Sequence, residues 1–234
     1  MSSNSLPLLG VFAKQPEAGK VKTRLARTLG ESQACDLYKV FVADTLQLVL
    51  QAEIDLTVCY SPATSEAKQA LSALCPQNRA EEMTWWPQPE GDLGTRMGQF
   101  FEEFVLSQNR ASVLIGTDSP HLSRETLFQA FEILKQKPAV LGPCEDGGYY
   151  LIGFSEYQPG LLEGIEWSVE STFQQTAQAI ENAGLNYGVL STGYDIDTGV
   201  ELKRMIREFN ESDPQEDHCQ KTKQVLAEMG LYSP

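Results

Sequence analysis

Lys14, Lys20, Lys22, Arg24 and Arg27 fall within fourteen positions near the start of a chain that is otherwise acidic. The 234 residues carry 18 Lys and Arg against 32 Asp and Glu, a formal net charge of −14. The stretch FAKQPEAGKVKTRLARTLG (12–30) contains a single acid, Glu17, and is therefore a local cation in an anionic protein. Lysine and arginine donors packed this closely make charge-assisted hydrogen bonds to phosphate oxygens. Gly19 can supply a tight turn, with Lys20, Lys22, Thr23 and Arg24 as donors around it. The plain alternative is a solvated basic surface loop. Neither common phosphate motif is present. A Walker A loop ending in Gly19-Lys20 requires glycine at 14 and Ser or Thr at 21, where the chain has Lys14 and Val21, and GxGxxG is absent.

Three acidic stretches complement the cations. Asp118 follows the apolar run VLIGT, and Pro120 turns the chain away, so the carboxylate is expected at the lip of a sheet, where it can hold a divalent ion or cap a turn. Asp195 and Asp197 are two apart, so an extended backbone points both the same way, and Thr198 can cap the helix that follows. Asp146-Gly147-Gly148-Tyr149 joins an acid to two bare positions and an aromatic. Those letters fit a ligand approaching the backbone or a tight Asp-Gly hairpin.

The elements that must position these groups alternate. Strands are expected at 7–14, 54–61, 83–88, 111–118, 139–146, 148–154 and 186–191. Helices are expected at 32–52, 65–75, 92–108, 123–136 and 169–183, with two more from about 199 and 214. This βαβ pattern predicts a mostly parallel sheet covered on both faces. The acidic run 208–218 reads as a solvated turn between the closing helices. There is no repeat or composition break, so residues 1–234 are expected to form a single domain.

Composition narrows the function classes. A pI near 4.6 argues against a nucleic-acid surface, which needs a broad basic face. No run approaches the roughly 18 apolar residues of a membrane span. The five cysteines are odd in number, far apart and without a CxxC pair, which predicts free thiols and a cytoplasmic protein.

Taken in order, FAKQPEAGKVKTRLARTLG, GDLGTRM, IGTDSPHL, LGPCEDGGYYLIG, IEWS and DIDT resemble the bacterial radical-SAM/selenodomain-associated transferases, proposed glycosyltransferases of the GT-A, or nucleotide-diphospho-sugar transferase, superfamily. A more distant likeness is to the guanylyltransferases that activate phospholactate or phosphoenolpyruvate, through Lys22 to Leu25, the turn at 146–148 and the late acids. The resemblance implies a three-layer α/β/α sandwich with a mixed, mostly parallel sheet. It places the nucleotide against Ala13, Lys14, Gly19, Lys20, Lys22, Thr23, Arg24 and Arg96, and the substrate against Asp146, Gly147, Gly148 and Tyr149. Lys22, Arg24 and Asp118 would act in catalysis, and Asp118, Asp195 and Asp197 would hold Mg²⁺ or Mn²⁺. The superfamily's Asp-x-Asp motif stands here as Asp118-Ser119-Pro120, so further acids must come from elsewhere in the chain. The implied function is metal-dependent glycosyl transfer from a nucleotide sugar to a small acceptor, by a monomer or homodimer. The alternatives are nucleotidyl transfer to a phosphorylated small molecule, and a non-catalytic nucleotide-binding domain.

Overall fold

Two runs set the frame. Leu8–Lys14 (β1) and Ser112–Ile115 (β4) are apolar almost throughout and buried on both faces, as interior strands of a parallel sheet must be. The computed structural model describes residues 7–52, 54–211 and 219–233. Around those two strands it assembles Asp55–Ser61 (β2), Thr84–Pro87 (β3), Ala139–Pro143 (β5), Tyr149–Phe154 (β6) and Tyr187–Val189 (β7). The order across the sheet is β3-β2-β1-β4-β6-β5-β7. β6 runs antiparallel to both its neighbours, while the other pairings are parallel. Six strands therefore end at one lip, and β6 starts there.

Helices cover both faces. On one side Glu31–Gln51 (α2), Ser65–Ser72 (α3) and Arg124–Leu134 (α5) pack Tyr38, Val42, Leu46, Leu71, Leu127 and Phe131 against Leu9, Val11, Val113 and Val140. On the other, Leu93–Phe101 (α4) and Thr172–Asn182 (α6) set Met97, Phe100, Phe101 and Ile180 against Leu8, Leu114, Leu141 and Ile152. The alternation of Leu8 and Leu9 between these two cores is the period-two pleat of β1. α4 continues as a wider i→i+5 turn over Glu102–Ser107, so 92–108 is helical as expected.

The short Ala26–Leu29 (α1) leads into α2, whose outer face carries Leu37 and Phe41 into a third core with Gly199–Glu211 (α7) and Gln220–Glu228 (α8). α2 is thus buried on two sides and keeps only a narrow polar stripe, where Asp36 pairs with Lys39. The expected turn at 208–218 is corrected in part. Glu208–Glu211 belong to α7 because Leu202, Met205 and Phe209 carry its apolar stripe to the third core. The remainder, 212–218, with the expected helix start at 214, lies outside the described residues.

α8 is anchored by one buried acid. Asp44 of α2 accepts from Thr222 N at 2.8 Å, Thr222 Oγ1 at 2.7 Å and Lys221 N at 3.3 Å, satisfying the open N–H groups of the first turn of α8. Burial raises this carboxyl above its ordinary pKa, and the three donors offset that in part. Asp44→Ala is expected to cost about 2 kcal/mol, read as a lower midpoint in thermal or urea unfolding, because it orphans buried donors. An unchanged midpoint would mean that α8 docks through its apolar contacts alone.

Candidate functional site

The lip of the sheet collects the charged groups, and the loop after β1 is built in two layers. Gly19 takes φ +78°, a value that favours glycine, and Lys20 N and Val21 N both donate to the Glu17 carbonyl. Val21 and Leu25 are buried anchors. Between them Lys22 adopts φ +47° and sends its side chain inward, leaving it 3% exposed. Lys14, Lys20 and Arg24 stay outside, on the wall of the cleft. Thr23 is exposed but does not line the cleft, and Gly19 shapes the turn without lining it.

Lys22 Nζ lies 2.5 Å from Asp118 Oδ1, 3.1 Å from Asp197 Oδ1 and 2.8 Å from the Ile196 carbonyl oxygen. An ammonium has three N–H donors, and all three have protein acceptors here. Burial pulls the Lys22 pKa down, but the carboxylates of Asp118 and Asp197 outweigh it and hold the group above its ordinary value. Arg24 Nη1 reaches Asp197 Oδ2 at 3.3 Å from a solvent-exposed position.

The acids arrive on two elements. Asp118 follows β4, and its carbonyl accepts from Ile196 N at 2.8 Å, which ties the late segment to the end of β4. That segment is also held to the end of β5 by the Cys144–Gly193 bridge. Asp195 and Asp197 both line the cleft while Ile196 between them enters the third core, as the two-residue spacing predicts. Asp195 turns to Ser119, whose Oγ is 2.5 Å from its Oδ1. Burial pushes the Asp195 carboxyl up to about 6, helped by Asp118 and Asp197 and offset in part by Ser119 and Lys22. Thr198 and Glu201 cap α7 reciprocally: Val200 N donates to Thr198 Oγ1 at 3.1 Å and Thr198 N to Glu201 Oε2 at 2.7 Å.

The three acids meet, but not as a ready metal cage. Among the described residues no group of three or more His, Cys, Asp and Glu is placed to hold an ion. The cation position between Asp118 and Asp197 is taken by the chain's own ammonium. The donor type, carboxylate oxygen, is what Mg²⁺ or Mn²⁺ requires.

The turn at 146–148 behaves differently from the ligand-approach expectation. Asp146 Oδ1 accepts from Gly148 N at 2.9 Å, an Asx turn, and Gly147 sits at φ +86°. A Cβ on Gly147 would lie 2.0 Å from the Glu170 carbonyl oxygen, and Phe173 N donates to the Gly147 carbonyl at 2.8 Å. Gly147 is bare because the segment 165–172 crosses it, and it does not line the cleft. Asp146, Gly148 and Tyr149 do.

Arg96 lies at the β2 end, donating from Nε to the Gly91 carbonyl at 3.0 Å and from Nη1 toward Gln88 Oε1 at 3.4 Å. Ala13 is buried at the end of β1 and lines the floor. Two further groups of side chains complete the site. Tyr38 bolts the β1 loop to the β4 loop: its hydroxyl accepts from Lys14 N at 2.8 Å, and Thr117 Oγ1 lies 3.4 Å away. Trp167, Val169 and Glu170 form a wall together with Leu93 and Met97 of α4, on which Trp167 packs. The motif IEWS marks that wall in the sequence, whereas Tyr38 is hidden in a helix whose apolar pattern explains it without any site. The whole encloses about 910 Å³, ample for a nucleotide and a second small molecule.

Comparison with known proteins adds four findings. Residues 45–169, more than half of the chain, match the family described as "uncharacterized protein conserved in bacteria" (DUF2064). That match includes Asp118, the 146–148 turn and Trp167, and leaves the basic loop and the late acids outside it. A proposed nucleotide-diphospho-sugar transferase from Desulfovibrio desulfuricans G20 is 31% identical, with 97% of this chain and 99% of that one covered at a TM-score of 0.84. Two solved structures with lower identity share the fold. The first is 4-diphosphocytidyl-2C-methyl-D-erythritol synthase from Anaerococcus prevotii DSM 20548 (10% identity, 88% and 96% covered, TM-score 0.57). The second is Rv0371c from Mycobacterium tuberculosis H37Rv in complex with manganese (14%, 85% and 97%, TM-score 0.50). No curated protein matches the chain.

Proposed function

The chain belongs to the DUF2064 family, and we propose that it is a transferase that takes a glycosyl group from a nucleotide sugar, with a divalent metal, to a small-molecule acceptor. One observation carries this reading. Exposed Lys14, Lys20 and Arg24 line the same cleft wall that ends at the Lys22–Asp118–Asp197 cluster, so polyphosphate donors and metal-type acceptors face one space. The likeness to the Desulfovibrio protein over nearly the whole chain supports it.

In this account Lys20 and Arg24 bind the phosphate oxygens and fix the donor's orientation. Asp118 and Asp197, with Asp195 beside them, would hold Mg²⁺ or Mn²⁺, which supplies positive charge against the leaving nucleoside diphosphate. With its carboxylates holding such an ion, the Lys22 ammonium would be free to donate to a phosphate oxygen in their place. During transfer the bond from the anomeric carbon to the phosphate oxygen breaks, and its electron pair leaves with the nucleoside diphosphate. The acceptor oxygen forms the new bond and gives its proton to a carboxylate on the acidic side of the cleft. Fixed cations near the departing phosphate stabilise the charge that develops there.

The test is binding. Lys20→Ala and Arg24→Ala are each expected to weaken nucleoside diphosphate binding about tenfold by calorimetry, in line with the loss of one charge-assisted bond from an exposed site. Both groups are exposed, so the melting temperature should stay within a degree or two. Unchanged nucleotide affinity in both variants would sink the assignment.

A further inference from the structure

We propose that the acceptor is a neutral or cationic molecule with an apolar ring face, not a phosphate ester. This rests on the nucleotide reading above and assigns the other half of the same cleft. The cleft is polarised along the sheet lip. Its basic side chains stand over β1 and β2, or are already paired with Asp118 and Asp197: Lys14 ends β1, Lys20 follows it, and Arg96 reaches Ser61 at the end of β2. Beyond Asp118, over β6 and the 165–172 segment, the lining contains no lysine or arginine. It presents Asp146 and Glu170 instead.

The wall of that half is apolar and aromatic. Trp167 meets Tyr149 edge to face, with ring centroids 6.4 Å apart at 85°. Leu93 and Val169, 42% and 40% exposed, are large apolar side chains left facing this space. The wall is preformed. Trp167 packs on α4 so closely that a Cβ on Gly94 would be 2.8 Å from its ring, and Thr172 Oγ1 lies 2.9 Å from the Glu166 carbonyl oxygen and 2.8 Å from that of Val169. A rigid indole face beside carboxylates suits a ring whose C–H face stacks and whose hydroxyl or ammonium groups donate. A phosphate dianion placed there would face two carboxylates, while Arg96, one turn along α4 from Leu93, is turned away toward Ser61 and Gln88. Nucleotidyl transfer to a phosphorylated small molecule needs such an anion as its acceptor, whereas glycosyl transfer to a hydroxyl or amine does not.

Three probes with the same ring decide this: glucose, glucosamine and glucose 6-phosphate, followed by saturation-transfer NMR on the protein with Mn²⁺ and pyrophosphate and again without them. Glucosamine and glucose should bind at least tenfold more tightly than glucose 6-phosphate. Glu170→Lys, an exposed substitution, should raise glucose 6-phosphate binding at least tenfold, and Trp167→Ala should abolish binding of all three while Mn²⁺-pyrophosphate still binds. Equal or tighter binding of glucose 6-phosphate to the parent, or binding of none of the three, overturns the proposal. Calorimetry of Mn²⁺-pyrophosphate reads the nucleotide reading separately, so a failure there is not confused with a failure of the sugar ranking.

Discussion

A Gly147→Val protein is expected to lose about 4 kcal/mol of stability and to melt about 10 °C below the parent. Two costs combine. The backbone at φ +86° lies in the left-handed region, which costs a residue with a Cβ roughly 1–2 kcal/mol and a β-branched one more. The added Cβ would also fall 2.0 Å from the Glu170 carbonyl oxygen and 2.5 Å from its carbonyl carbon, so the 165–172 segment must move, and overpacking of this kind costs about 1–3 kcal/mol. For a chain of this size each kcal/mol shifts the midpoint by roughly 2–4 °C. Gly148→Ala is the control, because its Cβ would meet only the Asp146 side chain at 3.2 Å. It should cost less than about 1 kcal/mol. If Gly147 were bare for a ligand instead, the valine protein would melt with the parent and fail only in binding.

The second large effect concerns Lys22. Lys22→Met should bind Mn²⁺ alone at least tenfold more tightly than the parent, because it removes the ammonium that competes for Asp118 and Asp197. Without metal it should melt lower, since two carboxylates then face each other with only the exposed Arg24 guanidinium beside Asp197; that partner and their partial exposure keep this loss below the full cost of a buried unpaired charge. Added Mn²⁺ should restore the midpoint by binding the folded state. Equal Mn²⁺ affinity in the two proteins would show that the ammonium and the metal do not share a place.

The sheet and its helices were legible because their signals are local. β1 and β4 are unbroken apolar runs, and two strands around Asp146-Gly147-Gly148 imply a hairpin, which is why β6 alone runs backwards. The end of α7 is not legible at Glu208 because its charged face hides Phe209, which the third core requires. The site was legible as a set of residues and not as a set of contacts. Five cations in one loop look alike in sequence. Lys22 alone turns inward because Val21 and Leu25 anchor the backbone on either side and its acceptors at 196 and 197 lie 174 and 175 residues away. Gly147 likewise gives no sign that Glu170 will cross it. Tyr38 sits on an apolar helix face, so its hydroxyl's role at the joint of two loops becomes visible only once β1 and β4 are side by side.

The proposed exchange of Lys22 between carboxylates and phosphate would make metal and nucleotide depend on each other, and a binding coupling must be reciprocal. The direct measurement is a calorimetric titration of Mn²⁺ into the parent protein, alone and with saturating UDP, GDP, ADP and CDP in turn. The account predicts weak uptake of Mn²⁺ alone, at least tenfold tighter uptake with one or more of these nucleotides, and loss of that gain in Asp118→Asn. Mn²⁺ affinity that is the same with and without every nucleotide, or a gain that survives in Asp118→Asn, would contradict it.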